Sequence, residues 1–373
     1  GITAVDGGSI PPISTMVPPK GTGRYRVVGL AAEGVSVQPI ALPANQPAGR
    51  FYAGGDRIAA FRANGTSVNG NPVNGNPVHG PEDWVASTTT IRGHATLGLT
   101  IFADGTSLGG LIAADPIAWL GAEHLAAFGA DTRLLVKLLD AGQRLPIHAH
   151  PHSTFAFEHL GALHGKAEAW YLLSDGEVFL GLRRDVAAPE LATLVETQDV
   201  ERMLGLMHRI PVTAGQTVYV PPGVLHAIGA GILLVELQEP EDLSILLEWR
   251  DFDLDGAADG HLGLGFGTAL AAVETRARSA AEIAALIHPA DAATRLPAEA
   301  AEYFRLDLLT PTAHASAGFA VLVVIDGTVQ LAPEHGSPMT LPTGSTVVVP
   351  HAAGSLSLDG DGAALLCRPP LPR

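Results

Sequence analysis

The 373 residues suffice for two or three domains around a large core, and an apolar content of 47% points to a folded globular chain. Acidic residues outnumber basic ones by 38 to 22, and the formal charge of -16 disfavours nucleic acid and anionic membrane surfaces as partners. No apolar run approaches the length that spans a bilayer, and a single cysteine, Cys367, rules out an internal disulfide. That usage fits a reducing compartment. Gly1 to Val5 lacks the basic-then-apolar pattern of a signal peptide, so a cytoplasmic location is expected. Cys367 reads as a small apolar residue of a C-terminal strand.

In chain order, residues 1–40 are rich in Gly, Pro and Ser, with a short β-like run from Tyr25 to Leu30. Asn64 to Gly80 holds the near-duplicates NPVNG and NPVHG, whose Asn-Pro and Asn-Gly steps predict a surface loop. Leu108 to Phe128 reads as two short helices broken by Pro116 and Gly121. Strand signals follow at Leu134 to Leu139, Glu168 to Leu173, Val178 to Leu182, Thr217 to Val220 and Ile232 to Leu237. Such short apolar runs between turn residues suggest an antiparallel sandwich or barrel. Gly267 to Ile287, with Ala, Leu and Ile at helical spacing, reads as the clearest helix. A second strand-rich block, Phe304 to Leu366, then includes Phe319 to Ile325, Gly344 to Pro350 and Ala363 to Leu366. The expected organisation is an N-terminal β segment with short helices over 1–130, a metal-binding β-domain over 131–262, and a linking helix with a second, metal-free β-domain over 263–373.

The histidines carry the chemistry. Gly142 to His150 fits G-x5-H-x-H, and residues two apart on a strand face the same side, so His148 and His150 can aim two imidazoles into one interior. Gly215 to His226 fits G-x5-P-x-G-x2-H, with an apolar strand and a Pro-Pro-Gly turn delivering His226. Imidazole nitrogen suits zinc and its first-row neighbours.

These strings resemble the two cupin motifs. A cupin takes two His and a Glu from the first motif and one His from the second. The matching Glu is Glu168, displaced by a helical insertion over Pro151 to Ala167, with Glu158 as a competitor. The insertion, Val136-Lys137-Leu138-Leu139-Asp140-Ala141, His148-Ala149-His150-Pro151 and Gly165-Lys166-Ala167-Glu168-Ala169-Trp170-Tyr171 together resemble the type I phosphomannose isomerase (mannose-6-phosphate isomerase) family over roughly residues 80–245. The resemblance implies a mainly β fold of two tandem cupin (jelly-roll) barrels with inserted helices, and a metal-dependent aldose–ketose isomerase of mannose 6-phosphate and fructose 6-phosphate. A free or differently substituted sugar, and a non-catalytic sugar-binding cupin, are the alternatives. It implies one divalent metal on His148, His150, Glu168 and His226. Zinc is usual in the family. His148 stands where the family has Gln, which leaves manganese, iron, cobalt and nickel open.

By the same resemblance Lys166 and Glu236 line the pocket. Both are catalytic candidates: a desolvated Lys166 near the metal would have a lowered pKa and could transfer protons, and Glu236 inside an apolar strand could be a base with a raised pKa. The family's Arg ten residues after that Glu falls on Leu246, with Arg250 as the nearest substitute. Arg133, Lys137, Arg144, Arg183 and Arg184 are candidate phosphate contacts. The partner is expected to be a small sugar or sugar phosphate, and the chain a monomer or homodimer. Gly344 to His351 resembles half of a second motif without its H-x-H, so His351 reads as structural.

Overall fold

A computed structural model describes residues 38–64 and 80–372. Tyr25 to Leu30 lies outside them, as does nearly all of the predicted loop over 64–80. The described residues belong to one compact unit built on four antiparallel sheets.

The first sandwich pairs a six-stranded with a five-stranded sheet. The larger runs Ile287–His288, Thr217–Val220, Glu168–Leu172, Leu233–Gln238, Leu135–Asp140, Glu82–Val85. The smaller runs Ile245–Leu246, His148–Ala149, His226–Ile228, Gly176–Leu182, Met207–Val212. Its outer face is covered by helices Ala188–Thr197 and Val200–Leu206, which bury Leu191, Leu194, Val195 and Met203 against Phe179 and Leu182.

The second sandwich is formed by Ile40–Ala41, Thr346–Val349, Ala320–Asp326, Ala363–Arg368 and Arg305–Leu309 opposite Ala313–Ala315, Leu356–Gly360, Thr328–Pro333 and Met339–Pro342. Alternation along a strand explains how one sheet serves two cores. Val321, Val323, Val348, Leu365 and Cys367 join the core shared with the first sandwich. Leu322, Val324, Val347, Val349, Ala364 and Leu366 fill the second sandwich's own interior. Both faces are buried, so these strands read as unbroken apolar runs. Cys367 sits fully buried in the last strand, and burial pushes its thiol far up.

Two expectations change. Leu108 to Phe128 is three helices, Leu108–Ala114, Pro116–Leu120 and Ala122–Phe128, because each breaker both ends one helix and starts the next. Asp115 caps the second by accepting from the Ala118 amide. Gly267 to Ile287 is not one helix. Phe266–Ala269 and a 3-10 turn, Leu270–Ala272, give way to extended chain, and a helix restarts only at Ala280–Ala285. Tertiary pairing outweighs the helical spacing there. Thr275 accepts from the Val186 amide, Arg278 donates to Leu182, and a Ser279/Glu282 capping box opens the new helix. Among the described residues no helix is long and apolar enough to cross a membrane.

Candidate metal centre

Strand register assembles the site. In the five-stranded sheet Leu246 pairs His148, His148 pairs His226, and His226 pairs Leu180. Cross-strand partners point to one face, so both imidazoles enter the first sandwich. His150 follows two residues later, where the Pro-Pro-Gly turn returns and the Gly223 amide donates to its carbonyl at 2.7 Å. Gly223 needs its φ of +85° to make that turn. From the six-stranded sheet, Trp84, Lys137, Glu236 and Trp170 form one row and Gln238 and Glu168 the next.

The insertion carries helix Ser153–Leu160, ended by Gly161 in the left-handed conformation. It closes at Gly165, where a Cβ would lie 2.5 Å from the Pro151 carbonyl oxygen. This crossing lays Lys166 beside His150. Its Nζ sits 2.9 Å from both His150 Nε2 and Glu168 Oε2, although Lys166 precedes the strand that begins at Glu168.

His148, His150 and His226 are fully buried or nearly so, and their ligand atoms lie within 4.8 Å of one another. Each Nδ1 meets a backbone carbonyl: Pro146 at 2.8 Å, Leu243 at 2.7 Å and Val224 at 2.8 Å. Nδ1–H is therefore the donor, and each Nε2 keeps its lone pair. Burial first, then the neighbouring histidines, holds His148 well below its ordinary value. Burial and Lys166 bring His150 down to about 3.

Glu168 approaches His150 Nε2 at 2.9 Å and His226 Nε2 at 3.1 Å. Those approaches are close but not hydrogen-bonded in geometry. His226 Nε2 is buried with no hydrogen-bond partner among the described residues, while Glu168 has the Lys166 ion pair at Oε2 and accepts from Trp170 Nε1 at Oε1. A buried, unpartnered imidazole nitrogen that converges with two further histidines and a carboxylate is the pattern a divalent cation satisfies, so the residues present fit one. Burial would raise the Glu168 carboxyl, but Lys166, His150 and His226 outweigh it and hold it well below the usual range. Burial would lower Lys166, but Glu168 and Glu236 hold it above its ordinary value, contrary to expectation. Glu236 moves as expected: burial, opposed by Lys137, pushes it up to about 7.

Other residues fall as follows. Lys166, Glu168, Glu236, Lys137 and Leu246 line one cavity with His148. Arg250 does not. It is exposed, its amide donates to Gln198 Oε1 and its guanidinium to the Thr197 carbonyl, so the Gln198 side chain turns the chain outward before it could reach the cavity. Glu158 is exposed on the inserted helix, as are His152 and His159. His164 pairs with Asp131 at 2.6 Å and Arg133 at 2.9 Å. Arg144 grips Glu248 with both terminal nitrogens, and Arg184 grips Glu190. Sequence reasoning missed Arg50, Tyr52 and Glu82, which also line the cavity. Arg50 lies in irregular chain, where no periodicity marks it. Its partners are 32 and 192 residues away, at Glu82 and Asp242.

No protein-family model matches the chain. Over 150 residues it is 36% identical to mannose-6-phosphate isomerase of Streptococcus mutans serotype c, which covers 39% of this chain and 45% of that relative. The chain thus spans less than half the length of the curated relatives it matches. Its structure is similar to that of mannose 6-phosphate isomerase from Bacillus subtilis, with a TM-score of 0.64, 22% identity, and coverage of 89% of this chain and 100% of the other. It is also similar to a mannose 6-phosphate isomerase bound with zinc and yttrium, with a TM-score of 0.65, 14% identity, and coverage of 90% and 100%. These likenesses establish the fold: mainly β, with the cupin architecture of phosphomannose isomerases.

Proposed function

We propose that the chain is a metal-dependent aldose–ketose isomerase interconverting mannose 6-phosphate and fructose 6-phosphate, with His148, His150, Glu168 and His226 holding one divalent ion, zinc first among the candidates. The observation that carries the reading is three buried imidazoles whose ligand atoms converge within 4.8 Å, one of them, His226, with a buried Nε2 that has no hydrogen-bond partner among the described residues, beside the Glu168 carboxylate and a cavity that also holds Lys166 and Glu236. The sequence similarity to a mannose-6-phosphate isomerase and the zinc in a structural relative support the substrate and the metal.

A bound divalent ion supplies a Lewis acid for the substrate's carbonyl and hydroxyl oxygens. The chain's own residues do the rest. Isomerisation moves one proton between C1 and C2 through an enediol, which needs a base in a water-poor site. Glu236 is that group in this reading. It is buried, it lines the cavity, and Lys137 Nζ stands 3.3 Å from its Oε2 to steady it. Lys166 holds Glu168 and His150 in place through its 2.9 Å contacts. Leu139, Leu145, Ile228 and Leu246 supply the apolar surface that limits water.

The test is metal-loaded protein incubated with mannose 6-phosphate in deuterated water. Fructose 6-phosphate carrying solvent deuterium at C1 is expected. A protein that binds metal but leaves the sugar unchanged would sink the reading.

A further inference from the structure

The cavity contains more charge than the isomerisation uses. Arg50, Lys137 and Lys166 face Glu82, Glu168 and Glu236 within it, and Asp242 backs Arg50 from outside its lining. Each cation already has a carboxylate partner. Arg50 lies 3.0 Å from Glu82 and 3.4 Å from Asp242; Lys137 lies 3.3 Å from Glu236 and 3.9 Å from Glu82; Lys166 lies 2.9 Å from Glu168. Tyr52 donates its hydroxyl to Glu82 as well. The carboxylates thus match or exceed the cations, and none of the three cations is left over.

That balance decides what the wall can recognise. A phosphate reaching Arg50 or Lys137 would compete with Glu82, Glu236 and Asp242, and would leave buried carboxylates unpaired, which is strongly unfavourable. A sugar hydroxyl asks for no such exchange. It accepts from a guanidinium or ammonium N–H and donates to the adjacent carboxylate, so the ion pairs stay intact. One donor is waiting. Arg50 Nε is buried and has no hydrogen-bond partner among the described residues, while both terminal nitrogens are held by carboxylates. A fixed guanidinium with one free N–H is a directional donor. Leu139 and Leu246, which line the same cavity, offer apolar contact for C–H groups.

We propose that Arg50, Glu82 and Lys137 form a wall that recognises the uncharged, hydroxyl-bearing carbons of a sugar, with Arg50 as the binding residue, and that any phosphate on the substrate stays outside this wall. The proposal rests on the isomerase reading for the kind of ligand but not for turnover. Its test is therefore equilibrium binding. Metal-loaded parent, Arg50→Lys and Arg50→Met are titrated by calorimetry with mannitol, a polyol that cannot isomerise, and separately with inorganic phosphate. Arg50→Lys keeps a cation for Glu82 and Asp242 but removes Nε, so it tests the wall even if Arg50→Met fails to fold.

Mannitol affinity is expected to fall about tenfold or more in Arg50→Lys. Phosphate affinity is expected to hold within about twofold. The KM for mannose 6-phosphate should rise more than kcat falls. Unchanged mannitol binding in Arg50→Lys, loss of phosphate binding instead, or a parent that does not bind mannitol, would each overturn the proposal. A parent that binds mannitol in this pattern yet never isomerises would remove the isomerase reading and leave the wall standing.

Discussion

The two sandwiches share a plan and differ in what they enclose. Each has a Gly-led strand on its inner face: Gly215 before Thr217–Val220, and Gly344 before Thr346–Val349. The first then turns through Pro221, Pro222 and Gly223 to deliver His226 into an interior that also buries Lys137, Lys166, Glu168 and Glu236. The second turns at Pro350 into the short 3-10 segment His351–Ala353, and its core is a cluster of Leu, Val and Ala, with Arg368 at the end of the last strand as the buried charged residue of its strands among the described residues. His351 packs under the helices instead. A Cβ at Gly121 would lie 2.7 Å from its Nδ1. Buried charge is costly unless it is used, so the difference marks one sandwich as chemical and the other as structural.

Removing the histidines should break that contrast most severely. His150→Ala with His226→Ala should lower metal content from about one equivalent per chain to near none, and activity to background. Elemental analysis beside a turnover assay reads both, and full metal retention would sink the ligand assignment. Next, Glu236→Gln should lower kcat by on the order of 10² to 10⁴ while the metal stays, since it removes a base and not a ligand. Parent-like turnover would return Glu236 to a purely structural place.

Leu322→Ala in the apolar sandwich should do the reverse. It should cost about 2–5 kcal/mol of stability by leaving a cavity, with metal content and turnover per folded molecule unchanged. Denaturant titration beside the same assay checks it, and a selective loss of turnover would contradict the division of roles. The smallest effect belongs to Asp131, at the edge of the first sandwich. Burial would raise its carboxyl, but the His164 hydrogen bond and charge, with Arg133, hold it below its ordinary 3.8. A depressed carboxyl adds stability that is present above its unfolded value and is lost as pH falls through its folded value. The melting-temperature gap between the parent and Asp131→Asn should therefore be wider at pH 7 than at about pH 3. A gap that widened on acidification would reverse the assignment.

Much of this contrast was legible in the sequence. His148 and His150 could be placed on one face because strand alternation is a local rule, and His226 because its turn is spelled by Pro and Gly. The strand from Thr217 to Val220 matches its predicted span. What could not be read depends on partners far along the chain. The helix expected across Gly267 to Ile287 fails because Arg278 bonds to the end of the strand Gly176–Leu182, and Thr275 to Val186 in the loop after it, almost a hundred residues earlier. Arg50 carries no local signature, and only the fold brings it to Glu82 and Asp242. Lys166 was placed correctly near Glu168, but its pKa direction was not, because the count of neighbouring carboxylates is a property of the assembled cavity.

The outermost strands of two sheets cross the division between sandwiches. Ile40–Ala41, early in the chain, pairs with Thr346–Val349 of the apolar sandwich, whereas Glu82–Val85 soon afterwards joins the chemical one. Ile287–His288, from the connecting stretch, pairs with Thr217–Val220. A single cut in the connection therefore yields no two self-sufficient halves. Separated after residue 262, the first piece would lose its Ile287–His288 border and the second its Ile40–Ala41 border, and each would expose a bare row of amides and carbonyls. The pieces should stay associated after such a cut and melt together in one calorimetric transition, as a split protein whose fragments complement each other.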